Sequence, residues 1–256
     1  MMLTKFENFD NPDKEPEEIT KIIDDIFMQY EQFPNSDDTK FGLLCLESYW
    51  DLNLANDLSM KPFLNSLDGM MDKSISVFHR RIESTASLHL YTKFGEGVLF
   101  DNPFISENIQ VIYLGLHGQP GKLLTSIDDI SSAELITAFK DYDKCSNKLI
   151  YFGACNVFEG QTGQNFARKF LQETGVHSAL GYSNKVCWVD GLIIDMLFLA
   201  RFFNDPNPFA NLQNLYESVI NDYRPAQNSG FSLFMNSANN SKKVVKTTAI
   251  NKAKKV

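Results

Sequence analysis

From Lys40 to Ser237 the chain alternates two apolar patterns. Short continuous runs suit strands buried on both faces. Between them, apolar residues recur every three or four positions, as on one side of a helix. FGLLCLESYW (Phe41–Trp50) opens with the first run, and NDLSMKPFLNSLDGMM follows as a helix begun or interrupted near Pro62. SISVFHRRI (Ser74–Ile82) predicts a second strand, and SLHLYTKFGEG a helix that stops at Gly95 or Gly97. VIYLGLHG (Val111–Gly118) predicts a third strand. Ser131 or Ser132 caps a helix reaching about Tyr142, with Glu134 in its first turn. KLIYFGAC (Lys148–Cys155) predicts a fourth strand, and GQNFARKFLQETG a helix closed by Gly175. VHSALGY (Val176–Tyr182) predicts a fifth strand, Val189–Phe203 a buried helix, and GFSLFMNS a sixth strand. Strands that are apolar on both faces and separated by helices belong to a parallel sheet covered on both sides. The expected fold is therefore three-layer α/β, with a mostly parallel central sheet of about six strands flanked by helices.

The ends of the chain differ from this body. Residues 1–40 hold eleven acids and four lysines, whereas after Asp222 there is no acid, only Arg224 and six lysines. The expected division is an acidic N-terminal accessory segment with a helix (1–39), a folded domain (40–237) and a basic flexible tail (238–256). The overall charge of -8 argues against a general nucleic-acid surface, which needs a basic face. The opening MMLTKFENFDNPDKEPEE is too polar for a secretory leader, and VDGLIIDMLFLARFF is too short and too charged to span a bilayer. Cys45, Cys145, Cys155 and Cys187 form no C-x-x-C pair. These features predict a cytoplasmic protein with reduced thiols and no membrane association.

In an open parallel sheet the working residues lie just past the carboxyl ends of the strands. The third strand runs out in LGLHG, placing His117 there, and the fourth in YFGAC, placing Cys155 at the equivalent edge. If the two strands are neighbours, their side chains converge on one substrate atom. A thiol and an imidazole are the minimum set for nucleophilic acyl transfer, the imidazole taking the thiol proton and later protonating the leaving amine. Gly118 lacks a side chain, so its N–H can approach a substrate carbonyl. Together with the N–H of Cys155 it is a candidate oxyanion hole.

VIYLGLHG, followed 38 positions after its histidine by LIYFGAC, resembles the caspase-fold cysteine peptidases. It is most similar to the bacterial caspase-like group that includes the CHAT peptidases, and more distantly to metacaspases, gingipains and separases. The resemblance spans Lys40–Ser237 and includes GVHSALGYSNKVCWVDG with the helix after it. It implies a cysteine endopeptidase with His117 as general base, Cys155 as nucleophile and Gly118 as oxyanion donor. It further implies a protein or peptide substrate, activation by a partner protein or a small signal, and a role as a bacterial stress or antiphage effector. The cysteine context GACNV departs from the caspase pentapeptide, and Gly153 stands where relatives that prefer basic residues carry an acid. The alternative is a catalytically inactive module of the same fold that binds a partner or a signal ligand.

Glu47, Trp188 and Asp190 are weaker candidates for the substrate pocket. Asp190 also suits a helix N-terminus, and Trp188 suits packing. His79, His89 and His177 have no expected direct role. Phosphate-loop, dinucleotide, zinc-helix and serine-elbow motifs are absent, so no cofactor or metal is expected.

Overall fold

The structure is a computed structural model that describes residues 41–50, 58–70, 75–92, 107–140, 146–236 and 244–247. The strands are β1 (Phe41–Glu47), β2 (Ile75–Arg81), β3 (Ile109–Gly115), β4 (His117–Gln119), β5 (Lys122–Leu124), β6 (Asp129–Ile130), β7 (Leu149–Gly153), β8 (Ser178–Tyr182), β9 (Phe231–Asn236) and β10 (Val244–Thr247). The helices are α1 (Lys61–Met70), α2 (Thr85–Thr92), α3 (Ser132–Phe139), α4 (Gly160–Thr174), α5 (Trp188–Asn204), α6 (Leu212–Asp222) and α7 (Arg224–Asn228).

Seven strands form one sheet in the order β10-β9-β8-β7-β3-β1-β2. The run from β8 to β2 is parallel throughout, and β9 and β10 add antiparallel pairs at the other edge. The expected six strands are all present. The seventh, β10, lies inside the stretch expected to be a flexible tail. Its sequence VVKT is rich in β-branched residues, and it completes the hydrogen bonds along the open side of β9. The accessory helix expected within residues 1–39 and the rest of the tail lie outside the described residues. Among the described residues, no helix is long and apolar enough to cross a membrane.

Successive residues of a strand point to opposite faces, and β7 shows how both are filled. Leu149 and Tyr151 join the cluster built with α1, α5 and α6, where Leu64, Phe198, Phe202 and Tyr216 are buried. Phe152 turns to the opposite face, where its ring meets Phe158, Phe166 and Phe170 edge-on at 5.5–5.7 Å. Each such pair adds about 0.5–1.5 kcal/mol beyond area burial. Helix ends follow local chemistry. Ser131 and Glu134 form a reciprocal capping box at the start of α3. Gly175 ends α4 in the left-handed region at φ 74°.

The sequence reading missed β4–β6, a separate small antiparallel sheet. Its strands are two or three residues long, too short for a periodic signal. The available sign was Pro120–Gly121, a turn dipeptide in which Gly121 adopts φ 75°.

Candidate active site

Strands β3 and β7 are hydrogen-bonded neighbours, in a register that sets Gly115 beside Gly153. His117 and Cys155 each lie two residues past these paired glycines, so both arrive at the same end of the sheet. They line one cavity of about 220 Å³. Trp50, Met60, Tyr113, Val186 and Trp188 also contribute to its wall.

Cys155 begins a sharp turn. Asn156 adopts φ 61°, a left-handed conformation that asparagine tolerates better than most residues. The turn is tied down where Phe158 N donates to Tyr182 O at 3.1 Å and Gly121 N donates to Val157 O at 2.9 Å. The thiol faces the segment after β8. Val186 N donates to Cys155 Sγ at 3.4 Å, and Sγ lies 3.6 Å from Val186 O.

His117 is exposed on one side and packs its ring edge-on against Trp50, at 5.7 Å between centroids. Its Nε2 lies 2.9 Å from Trp50 O. A carbonyl only accepts, so Nε2 carries the hydrogen and Nδ1 is the basic nitrogen of the neutral ring. No hydrogen bond joins His117 to Cys155.

Gly118 is fixed by contact with the same turn. A Cβ at this position would sit 2.3 Å from Cys155 O and 2.7 Å from Val157 Cγ2. Gly118→Ala is therefore expected to push the β4 hairpin off the Cys155 turn and cost about 1–3 kcal/mol. An unchanged urea midpoint in that variant would refute this reading of the contact.

The structure places the weaker candidates differently. Trp188 lines the cavity and meets Trp50 edge-on at 5.0 Å. Asp190 does not line it. Its carboxylate accepts from Tyr223 Oη at 2.6 Å and from Cys187 Sγ at 3.1 Å in the first turn of α5. These bonds hold its pKa below the ordinary value. Glu47 does not line the cavity either: it is completely buried behind it. Its carboxylate accepts from Trp50 Nε1 (2.5 Å), Ser59 Oγ (2.6 Å), Met60 N (2.7 Å) and His79 Nε2 (2.7 Å). Burial alone would raise this carboxyl, and the donors outweigh it and hold the pKa below the usual range. Cys45, Glu47 and His79 also lie within 4.8 Å of one another. With its oxygens already saturated, Glu47 is a poor metal ligand.

Sequence reasoning missed the most unusual group in the wall. Asp195 of α5 is buried and lines the cavity. Tyr113 Oη donates to its Oδ2 at 2.6 Å, and Tyr151 and Tyr182 donate to its Oδ1. The tyrosines come from β3, β7 and β8. Gly153 makes room for this, since a Cβ there would fall 2.2 Å from Tyr113 Oη. Burial raises the Asp195 pKa to about 6 against the lowering by the three hydroxyls. The native state thus holds a proton that the unfolded chain has already lost between pH 4 and 6. Stability is expected to fall by about 3 kcal/mol as pH rises through that window. Urea titrations across the window should show this slope in wild type and not in Asp195→Asn. Equal slopes in both chains would refute it. The available sequence signal was an acid inside the apolar run LIIDMLFL, which needs polar partners once buried.

Residues 40–234 match a family described as a family of unknown function (DUF6642). The chain belongs to this family. The DUF6642 match covers β1 through most of β9 and includes His117, Cys155 and Asp195, so the whole cavity lies inside the family region. No curated protein matches the chain.

Proposed function

We propose that this DUF6642 domain is a caspase-like cysteine endopeptidase. The observation that carries the reading is the delivery of Cys155 and His117 from adjacent parallel strands into one cavity. The bond from His117 Nε2 to Trp50 O supports it by leaving Nδ1 as the basic nitrogen. In the reaction, Nδ1 takes the thiol proton and Sγ attacks the carbonyl carbon of the scissile peptide. The tetrahedral intermediate expels the amine, which leaves with the proton held by His117. Water, deprotonated by the same imidazole, then hydrolyses the thioester and frees Cys155. The N–H groups of Gly118 and Cys155 are the proposed donors to the oxyanion. The catalytic thiol must stay reduced, which fits a cytoplasmic setting. Activation by a partner or small signal, and a part in stress or antiphage defence, belong to the same proposal through the family resemblance.

The test is mass-spectrometric mapping of new peptide termini in a lysate treated with wild type or with His117→Ala. Wild type alone should generate a consistent set of cleavage sites. Identical termini in both samples would defeat the peptidase reading.

One observation favours a second reading. Cys155 Sγ bonds to the Val186 backbone and not to the imidazole, as in a fold kept for binding a partner or signal ligand. Catalytic hydrogen bonds often tighten only with substrate present. In the binding reading, Cys155 would react with iodoacetamide at the same rate in wild type and in His117→Ala.

A further inference from the structure

Resting on the peptidase reading, we propose that the cavity beside Cys155 takes a positively charged side chain, of the lysine or arginine type, with Asp195 as its counter-charge.

Asp195 is a buried acid that the cysteine chemistry does not use. A carboxylate offers about four acceptor positions. The tyrosines fill three of them, two on Oδ1 and one on Oδ2. Among the described residues Tyr113 alone engages Oδ2, which keeps a position for one more donor. None of the hydrogen bonds or ion pairs of Asp195 among the described residues comes from a lysine or arginine, and its charge is met by neutral hydroxyls. A buried anion of this kind is normally paired with a cation.

The rest of the wall suits such a guest. Trp50, Trp188, Tyr113 and Tyr182 present aromatic surface, and Met60 and Leu192 add aliphatic surface. An alkyl stem can lie against these groups, while an ammonium or guanidinium gains from the ring faces on its way to the acid. A carboxylate side chain would meet Asp195 as a like charge. A neutral chain of equal length would leave the last acceptor position empty. Because Cys155 lines the same cavity, a side chain seated there brings its own carbonyl to the thiol.

The experiment uses peptidyl acyloxymethyl ketones that are identical except at the residue carrying the ketone, which is lysine, norleucine or aspartate. Labelling of Cys155 in the full-length chain is timed by intact-mass spectrometry. The lysine probe is expected to react on the order of 10–100-fold faster than the norleucine probe, as a charge-assisted hydrogen bond in a closed site would give. The aspartate probe should be slowest. Asp195→Asn should bring the lysine-to-norleucine ratio close to one. The wild-type comparison stands without that variant should it fail to fold. If norleucine or aspartate reacts as fast as lysine, or if Asp195→Asn keeps the ratio, the charge selectivity is overturned and the peptidase reading survives. If none of the three probes labels Cys155, the peptidase reading falls and the selectivity falls with it.

Discussion

Cys155→Ala is expected to abolish peptide cleavage, lowering kcat by roughly 10⁵–10⁶-fold, since removing a nucleophile ends the covalent route and leaves only binding and oxyanion contacts. The residue is well isolated for the test. Its backbone is held by the turn that returns to Tyr182, and its side chain touches the Val186 backbone without supporting a hydrophobic cluster. The variant should therefore keep the wild-type urea midpoint within about 0.5 kcal/mol. The measurement pairs that midpoint with turnover of a fluorogenic peptide built on a mapped cleavage site. Retained turnover in a folded Cys155→Ala chain would remove the thiol from the mechanism. Lost turnover with a collapsed midpoint would instead make Cys155 a structural residue.

Glu47→Ala is expected to produce the largest loss of stability among single changes near the cavity, about 3–5 kcal/mol. The carboxylate is fully buried and holds four donors from three parts of the chain: the end of β1, the approach to α1, and β2. Truncation takes the acceptor from the half-buried Trp50 Nε1, Ser59 Oγ and His79 Nε2 and from the buried Met60 N, and an unsatisfied buried group costs about 1–3 kcal/mol. The damage also reaches the imidazole. Trp50 gives its indole N–H to Glu47 and its carbonyl to His117, so loosening one end releases the other. Urea denaturation reads the first effect, and the Cys155 labelling rate by the lysine ketone reads the second. A stability loss under 1 kcal/mol would show that Glu47 is not the anchor described here.

The layered fold was legible because its signals are local and repeated. VIYLGLHG and KLIYFGAC are apolar on both faces, which only a covered parallel sheet accommodates, and the helices between them carry their own caps. His117 and Cys155 were legible from the same runs, each lying just past a strand end. Trp188 was offered for the pocket as well, but the cluster around Asp195 was not legible, because it depends on tertiary register. Tyr113 and Tyr151 are direct partners across β3 and β7, and Tyr182 lies two residues beyond Leu180, the β8 partner of Tyr151. Nothing in the spacing of three tyrosines along 70 residues shows that they meet one aspartate from a later helix. Glu47 illustrates the opposite error. An acid just after the first strand suggested a contributor to the substrate pocket, and the returning Ser59–Met60 segment buries it behind the cavity instead.

The close approach of Gly118 to the Cys155 carbonyl has a consequence for how this end of the sheet can move. Together with the bond from Gly121 to Val157, it ties the hairpin bearing His117 to the turn bearing Cys155. The two backbones are therefore coupled, whereas each side chain leans on another segment, the His117 ring on Trp50 and the Cys155 thiol on Val186. On the proposed function, a ligand or partner that shifts Trp50 or the Val186–Trp188 stretch, all of which line the cavity, would reorient the imidazole or the thiol while leaving the hairpin and the turn joined.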